Sequence, residues 1–463
     1  MQATDVLVIG AGIAGLTVAH TLRRAPAAPS VQLIEAGGAA GGKVTTTVVE
    51  GYTFDLGPGQ FSSRAKDTAA LVAELGLTDR LTMAGPAARR VHIVRGDRVL
   101  PVPTGPLTAL RTPLLSIPGK LRILLEPLLA GHAVSGESVH DFAARHFGRE
   151  FARVVVAAVA AGTTATDIAS TSLDAAFPRV RQLEKSAGRT GLLGAALRAA
   201  RGAPSGQAPP LATFSPGGVG VLTGALAESL GAAIHCDTHA LSLGKGNRRR
   251  YAVHTREGLR YEADQIVLAV PSYVAGRLLA DLAPGASTAL DGIPFVGVRL
   301  FGFGYRLSDL PEPLANGGGV LAPFRPGRRA FGIAPLSTVF PAHAPDGHAL
   351  VRVFAGGQHD PGMLELSTAD ASDAVRADLS ALLGLTAKPA FSTEVIWHRG
   401  IPHYRLDHPA RLRTAERSLA DHPGLHLTGN SYYGAGIDAT IRHARGLAGQ
   451  ILRQPRPVPA TAG

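Results

Sequence analysis

Asp5-Val6-Leu7-Val8-Ile9-Gly10-Ala11-Gly12-Ile13-Ala14-Gly15 decides the fold, together with Leu16 to Arg24 and Val31-Gln32-Leu33-Ile34-Glu35 behind it. Asp5 to Ile9 reads as a short buried strand, Leu16 to Arg24 carries helical apolar spacing, and Val31 to Ile34 reads as a second strand. The three together form a βαβ unit whose glycines have separate physical tasks. Gly10 permits the tight turn, Gly12 lets the backbone approach a pyrophosphate, and Gly15 lets the helix pack closely on the strand. Unpaired N–H groups and a partial positive charge at the helix amino terminus, reached through Ala11, Ile13 and Ala14, then favour phosphate. Glu35, followed by Ala36, falls 20 residues after Gly15. A carboxylate there accepts from a ribose hydroxyl and repels a 2′-phosphate, so an NADP-type ligand is disfavoured.

The rest of the chain sets bounds around this unit. Its 463 residues point to two or three domains, and 45% hydrophobic against 17% charged residues supports a large packed interior. The 56 glycines and 33 prolines show no three-residue period, which excludes a collagen-like chain. Cys236 is the sole cysteine, so an intrachain disulfide and a multi-cysteine metal site are excluded, and a reducing, cytoplasmic setting is expected. The net charge of +11 fits nucleic acid, an anionic membrane or an acidic ligand. Arg248, Arg249 and Arg250 form the densest basic run, which reads as a solvated hairpin turn without stacking aromatics, so nucleic acid is not expected. Neither a signal peptide nor a transmembrane helix is expected. His132, His140 and His146 read as surface or capping residues, and no metal site is expected.

Beyond Glu35 come Gly41-Gly42-Lys43-Val44 and Phe54-Asp55-Leu56-Gly57-Pro58-Gly59-Gln60. These stretches resemble the extended fingerprint of the amine-oxidase-like flavoproteins. The resemblance implies that Gly42 and Lys43 contact a flavin diphosphate, and that the turn from Gly57 and Pro58 through Gly59 and Gln60 runs beside the ring. FAD is the implied cofactor, held without a covalent link. The pattern continues through Phe214 to Gly218, through Ala240 at the adenosine part, and through the strand Ala263 to Val270 before Pro271. At the carboxy-terminal end, Leu425 to Asn430 reads as a strand and turn, and Tyr432-Tyr433-Gly434-Ala435-Gly436-Ile437 leads into a helix. The amino terminus of that helix, at Ala435, Gly436 and Ile437, would meet the flavin's N1–C2 region.

Ile401-Pro402-His403-Tyr404 with His408, Gly429-Asn430-Ser431-Tyr432, and Ala161-Gly162 through Phe177-Pro178 narrow the likeness further. Here the chain resembles the FAD-dependent protoporphyrinogen and coproporphyrinogen oxidases. The resemblance implies oxidation of a porphyrinogen to the porphyrin in haem biosynthesis, with hydride passing to flavin N5 and dioxygen as the acceptor. Protoporphyrinogen IX is the first expectation and coproporphyrinogen III the alternative. An amine or carotenoid oxidoreductase of the same fold, and a non-catalytic tetrapyrrole carrier, are the further alternatives. No side chain is expected as nucleophile. Arg90 is the expected propionate contact and the Gly162 carbonyl the expected acceptor from pyrrole N–H groups, while Trp397 is placed near the flavin. His403 stands where the family has glutamine.

The implied fold is α/β, with a discontinuous Rossmann-like FAD-binding domain at 1–84, 211–294 and 396–454. An α+β substrate-binding domain is expected at 85–105 and 295–395, a mainly helical insertion at 106–210, and a flexible tail at 455–463. Leu107 to Leu129, with Arg111, Lys120 and Arg122, reads first as a buried helical pair. An apolar face meeting a bilayer is the second reading, which would give peripheral membrane contact. Hand-over of product to the next haem-pathway enzyme, and a monomer or homodimer, complete the expectations.

Overall fold

The computed structural model describes residues 2–129, 131–188, 191–202 and 211–454. The expected loop 203–210 and tail 455–463 lie outside the described residues. The chain is mixed α/β, built on two seven-stranded sheets that face a common cavity.

In the first sheet Gln2–Ile9 is central, parallel to Val31–Ile34 on one side and to Arg260–Leu268 on the other. Val8 pairs with Leu33 and Val267, so the apolar run Val6 to Ile9 is buried on both faces, as parallel strands require. Ile234–His235 extends one edge, and Tyr251–Thr255 and Ala240–Lys245 form an antiparallel hairpin on the other. Leu425–Leu427 adds a parallel partner to Arg260–Leu268. Helix Ile13–Arg23 packs against helix Ile437–Arg453, and Leu16, Val18, Ile441 and Ala444 share one core. The basic run in the hairpin is held by acids: Arg249 pairs with Asp5 and Asp264, and the turn's N–H groups donate to Glu262.

The second sheet runs in the order Phe391–Pro402, Phe295–Arg306, His348–Gly356, Ala330–Pro335, Gly319–Leu321, Val91–Arg95 and Arg98–Pro101. Strand Phe391–Pro402 is continuous across residue 396, where a boundary between units was expected; it pairs with Phe295–Arg306 along its length, with one irregularity near Val296. Alternation along His348–Gly356 sends Ala349, Val351 and Val353 toward helix Thr368–Leu383. Leu350 and Phe354 belong to the opposite face, which looks into the cavity.

The helices between Pro106 and Gly202 hold a core of their own around Phe142, Ala143, Ala160, Leu173 and Leu192. The segment Leu107 to Leu129 corrects the first reading, because its leucines are not buried. Leu107 is 71% exposed, Ile117 74% and Leu128 81%, and only Leu114 and Leu115 turn inward. The cause is that polar groups anchor these short helices. Glu126 is fully buried, its carboxylate 2.6 Å from His146 Nδ1, and it accepts from the Leu192 N–H at 3.0 Å. Arg122 donates to the His146 carbonyl at 2.9 Å, and Glu150 accepts from Ser116. With the polar side docked, the leucine side faces outward. His146 is a second correction: it is buried, 2.6 Å from Glu126 and 3.0 Å from Glu184, and is not a surface residue. Among the described residues, no helix is long and apolar enough to cross a membrane.

Candidate functional site

A cavity of about 1010 Å³ opens where Gln2–Ile9, Val31–Ile34 and Arg260–Leu268 end, the crevice in which open α/β sheets take ligands. Gly10 sits at φ +105°, and a Cβ there would lie 2.7 Å from the Ala269 carbonyl oxygen. A Cβ on Gly15 would lie 2.0 Å from the Gly10 carbonyl oxygen, so helix and strand can approach only because that residue is glycine. A Cβ on Gly12 would meet nothing within 4 Å, since that backbone faces the cavity. Gly12 also caps helix Ile13–Arg23 without a side-chain hydrogen bond, so the helix amino terminus remains available. Gly10, Gly12, Ile13 and Ala14 line the cavity; Ala11 and Gly15 stand behind it.

Glu35 is fixed by two backbone donors, Ala11 N–H to Oε2 at 2.7 Å and Gly37 N–H to Oε1 at 2.8 Å. Each oxygen keeps acceptor capacity on the wall it shares with Ala36. Thr238, His239 and Ala240 face the same end. Gly41 N–H donates to the Ala11 carbonyl at 2.8 Å, which brings Gly42 and Lys43 onto the cavity beside the helix terminus. Lys43 Nζ donates to the carbonyls of Gly400 at 2.6 Å and Arg399 at 3.3 Å. Burial pushes its pKa down to about 8.

Gly57, Pro58, Gly59 and Gln60 line the middle of the cavity, where a Cβ on Gly57 would lie 2.1 Å from the Lys43 carbonyl oxygen. Trp397 lines it too and donates Nε1–H to the Leu56 carbonyl at 2.6 Å. A second helix amino terminus, Ile437–Arg453, is capped by Gly436 without a side-chain bond; Ala435, Ile437 and Thr440 face the cavity, whereas Gly436 does not. Asp438 secures this helix through Thr68 Oγ1 at 2.7 Å. Tyr404 secures the preceding turn, donating to the Asn430 carbonyl and accepting from Gly434 N–H at 3.2 Å.

The second sheet adds an apolar stretch, Val298, Leu300, Phe331 and Phe354, interrupted by Arg352, and the helical part adds Ala161, Gly162, Thr163 and Ala165. Gly162 lies in the last turn of helix Ala157–Thr164, where carbonyls lack helical partners. Arg90 is exposed and outside the cavity lining; its backbone turns toward Gly318, whose N–H donates to the Arg90 carbonyl at 3.0 Å. His403 is also outside the lining, buried 3.3 Å from Ser170 Oγ, and burial lowers its pKa to about 4. Arg352 was missed by the sequence reading. Its signal is a lone arginine inside the apolar strand His348-Ala349-Leu350-Val351-Arg352-Val353-Phe354.

The helix amino terminus at Gly12 with Lys43, the acid Glu35, the glycine-lined strip at Gly57 to Gln60 and the second helix terminus at Ile437 share this one cavity. The pattern of the flavin-containing amine oxidoreductases matches residues 13–452. The chain belongs to that family. FAD is its cofactor, and the cavity fits it, because the Gly12 face is open where a side chain would intrude. Among the described residues no cysteine lines this flavin-containing oxidoreductase's cavity; Cys236 lies outside it. The chain is 28% identical to the chloroplastic protoporphyrinogen oxidase of Nicotiana tabacum, over 96% of its own length and 85% of the relative's. It is 25% identical to the coproporphyrinogen III oxidase of Bacillus subtilis (strain 168), over 96% of its length and 97% of that protein's. The crystal structure of a protein from Exiguobacterium sp. 255-15 superposes with a TM-score of 0.82 at 23% identity, over 98% of this chain and 99% of that one.

Proposed function

We propose that this oxidoreductase converts a porphyrinogen to the corresponding porphyrin in haem biosynthesis, with dioxygen as the acceptor. The observation that carries the reading is the continuity of one cavity from the Gly10–Gly15 cradle to the apolar wall of Val298, Leu300, Phe331 and Phe354. A flat, largely apolar macrocycle suits such a wall, and the relatives named above are porphyrinogen oxidases along nearly the whole chain. FAD, when bound, supplies the two-electron acceptor for the substrate's carbon–hydrogen bonds.

The protein's own part is binding and orientation. Gly12 and Lys43 would hold the diphosphate and Glu35 the ribose, while the Ile437–Arg453 amino terminus would place positive dipole at the ring. Trp397 and the Gly57–Gln60 turn would fix the ring's plane against the second sheet. The free carbonyl of Gly162 would accept from a pyrrole N–H. The strands at 2–9, 31–34 and 234–268, with the carboxy-terminal helix, would form the FAD-binding unit, and the second sheet the substrate unit. The outward leucines between Leu107 and Leu129, with Arg111 and Lys120 among them, support peripheral contact with an anionic bilayer.

The test is direct. Purified, FAD-replete protein should turn colourless porphyrinogen into fluorescent porphyrin with oxygen uptake. No fluorescence gain with either protoporphyrinogen IX or coproporphyrinogen III would end the proposal. Co-sedimentation with anionic vesicles tests the bilayer contact, and recovery wholly in the supernatant would remove it.

A further inference from the structure

Among the described basic side chains lining the cavity, Arg352 alone is buried; Lys43 and His239 are half-buried, and Arg256, Arg277 and Arg399 are exposed. Arg352 Nη1 donates to the carbonyls of Asp55 at 3.1 Å and Gly57 at 2.9 Å. Its guanidinium lies 4.6 Å over the Phe354 ring. Among the described residues neither Nε nor Nη2 has a hydrogen-bond partner. Of the nearby Asp55 carboxylate, Oδ1 accepts from Thr46 Oγ1 at 2.6 Å and Val219 N–H at 3.0 Å, while Oδ2 lies 3.6 Å from His343 Nε2 without a hydrogen bond, and among the described residues the carboxylate forms no ion pair with Arg352. Burial lowers the Arg352 pKa from its ordinary value, with Asp55 opposing the shift. A buried cation with donors unused is costly unless an anion completes it. The neighbouring wall offers Val298, Leu300, Phe331 and Phe354, none of which supplies an acceptor side chain.

We propose that Arg352 receives a substrate carboxylate at the inner wall of the cavity, and that the substrate is a tetracarboxylate porphyrinogen of the coproporphyrinogen type. The inference rests on the porphyrinogen reading and narrows it. A tetracarboxylate macrocycle carries a propionate on every pyrrole ring, so every orientation directs one inward, where an apolar wall alone would reject it. A dicarboxylate with both propionates on neighbouring rings can turn its uncharged edge inward and leaves Arg352 unmatched. With Nη1 held by two carbonyls and Nε enclosed, Nη2 is the guanidinium donor left for a substrate carboxylate, a charge-assisted hydrogen bond. Arg352 thus takes the role the sequence reading gave to Arg90, which lies outside the lining.

The experiment compares wild-type, Arg352→Met and Arg352→Lys holoenzymes on coproporphyrinogen III and protoporphyrinogen IX, with FAD content read from flavin absorbance. The wild type should favour coproporphyrinogen III. Arg352→Met should cut the ratio of the two kcat/KM values by roughly thirtyfold or more, mainly through KM, as truncation of one partner of a buried charge pair does. Arg352→Lys should restore part of the ratio. A wild type that prefers protoporphyrinogen IX overturns the proposal, and so does an unchanged ratio in Arg352→Met. A shifted flavin spectrum with an unchanged ratio assigns the guanidinium to the flavin and likewise overturns it. Should Arg352→Met fail to hold FAD, wild-type binding of coproporphyrin III against its tetramethyl ester decides: tighter binding of the acid sustains the proposal and equal affinity removes it. A wild type that oxidises neither porphyrinogen refutes the broader reading, and the acid–ester comparison still judges the buried cation.

Discussion

Replacing Lys43 with methionine should remove the pH dependence of FAD binding. Lys43 Nζ is held against two carbonyls near the glycine cradle, and burial lowers its pKa from 10.5 to about 8. The fold without FAD therefore disfavours the ammonium form. A bound diphosphate favours it and would return the pKa toward the ordinary value. Above both values neither state carries the proton, and below both values both do. Between them only the FAD-bound state takes it up, so affinity must rise as pH falls through this window and level off below about pH 8. A difference of about 2.5 units corresponds to about 3.4 kcal/mol at most. Affinity at about pH 7 should then exceed that at about pH 9.5 roughly thirtyfold by the same linkage. The same linkage makes the stability of the FAD-free protein decline as pH falls from about 10.5 to about 8, because the unfolded chain takes up a proton there that the FAD-free fold does not. Titration of FAD-free protein by quenching of flavin fluorescence measures the affinity. A pH-independent wild type, or an equal slope in Lys43→Met, would refute the reasoning.

Gly15→Ala places a methyl 2.0 Å from the Gly10 carbonyl oxygen, so it should destabilise the fold by about 1–3 kcal/mol and lower FAD content, read by thermal melting and flavin absorbance. Tyr404→Phe strands Gly434 N–H and the Asn430 carbonyl in a buried turn; a loss of about 1–3 kcal/mol should appear in denaturant unfolding. His403 is neutral above its lowered pKa of about 4 and sits off the cavity, so His403→Gln should leave the pH–rate profile between about pH 5 and about pH 9 unchanged.

The cradle was legible because each of its requirements is local. A positive φ at Gly10 and a Cβ clash at Gly15 admit glycine alone, and such demands show in a sequence without any knowledge of distant contacts. Glu35 was legible for the same reason, since it ends a strand at a fixed distance from the turn. Arg90 lies outside the cavity lining, and the sequence does not show this, because a basic residue before a strand carries no information about which way the preceding turn points. Arg352 was hidden by the opposite problem: its importance arises from Asp55, Gly57 and Phe354, two of them almost 300 residues away in the chain. The Leu107–Leu129 helices show a further limit. Apolar periodicity identifies a face, but only Glu126, Arg122 and Glu150 reveal which face docks, and their partners lie elsewhere.

The central position of Gln2–Ile9 has a consequence for how the chain is made. This strand is flanked by Val31–Ile34 and by Arg260–Leu268, which in turn pairs with Leu425–Leu427. At about 5–20 residues per second Gln2–Ile9 waits roughly half a minute for its second neighbour, with one buried edge open. Helix Ile437–Arg453, which packs on Ile13–Arg23 beside Gly220–Leu230, follows later still. Completion of the cavity thus waits for residues 425–453, and nascent chains stalled before residue 425 should expose an apolar strand edge that chaperones recognise.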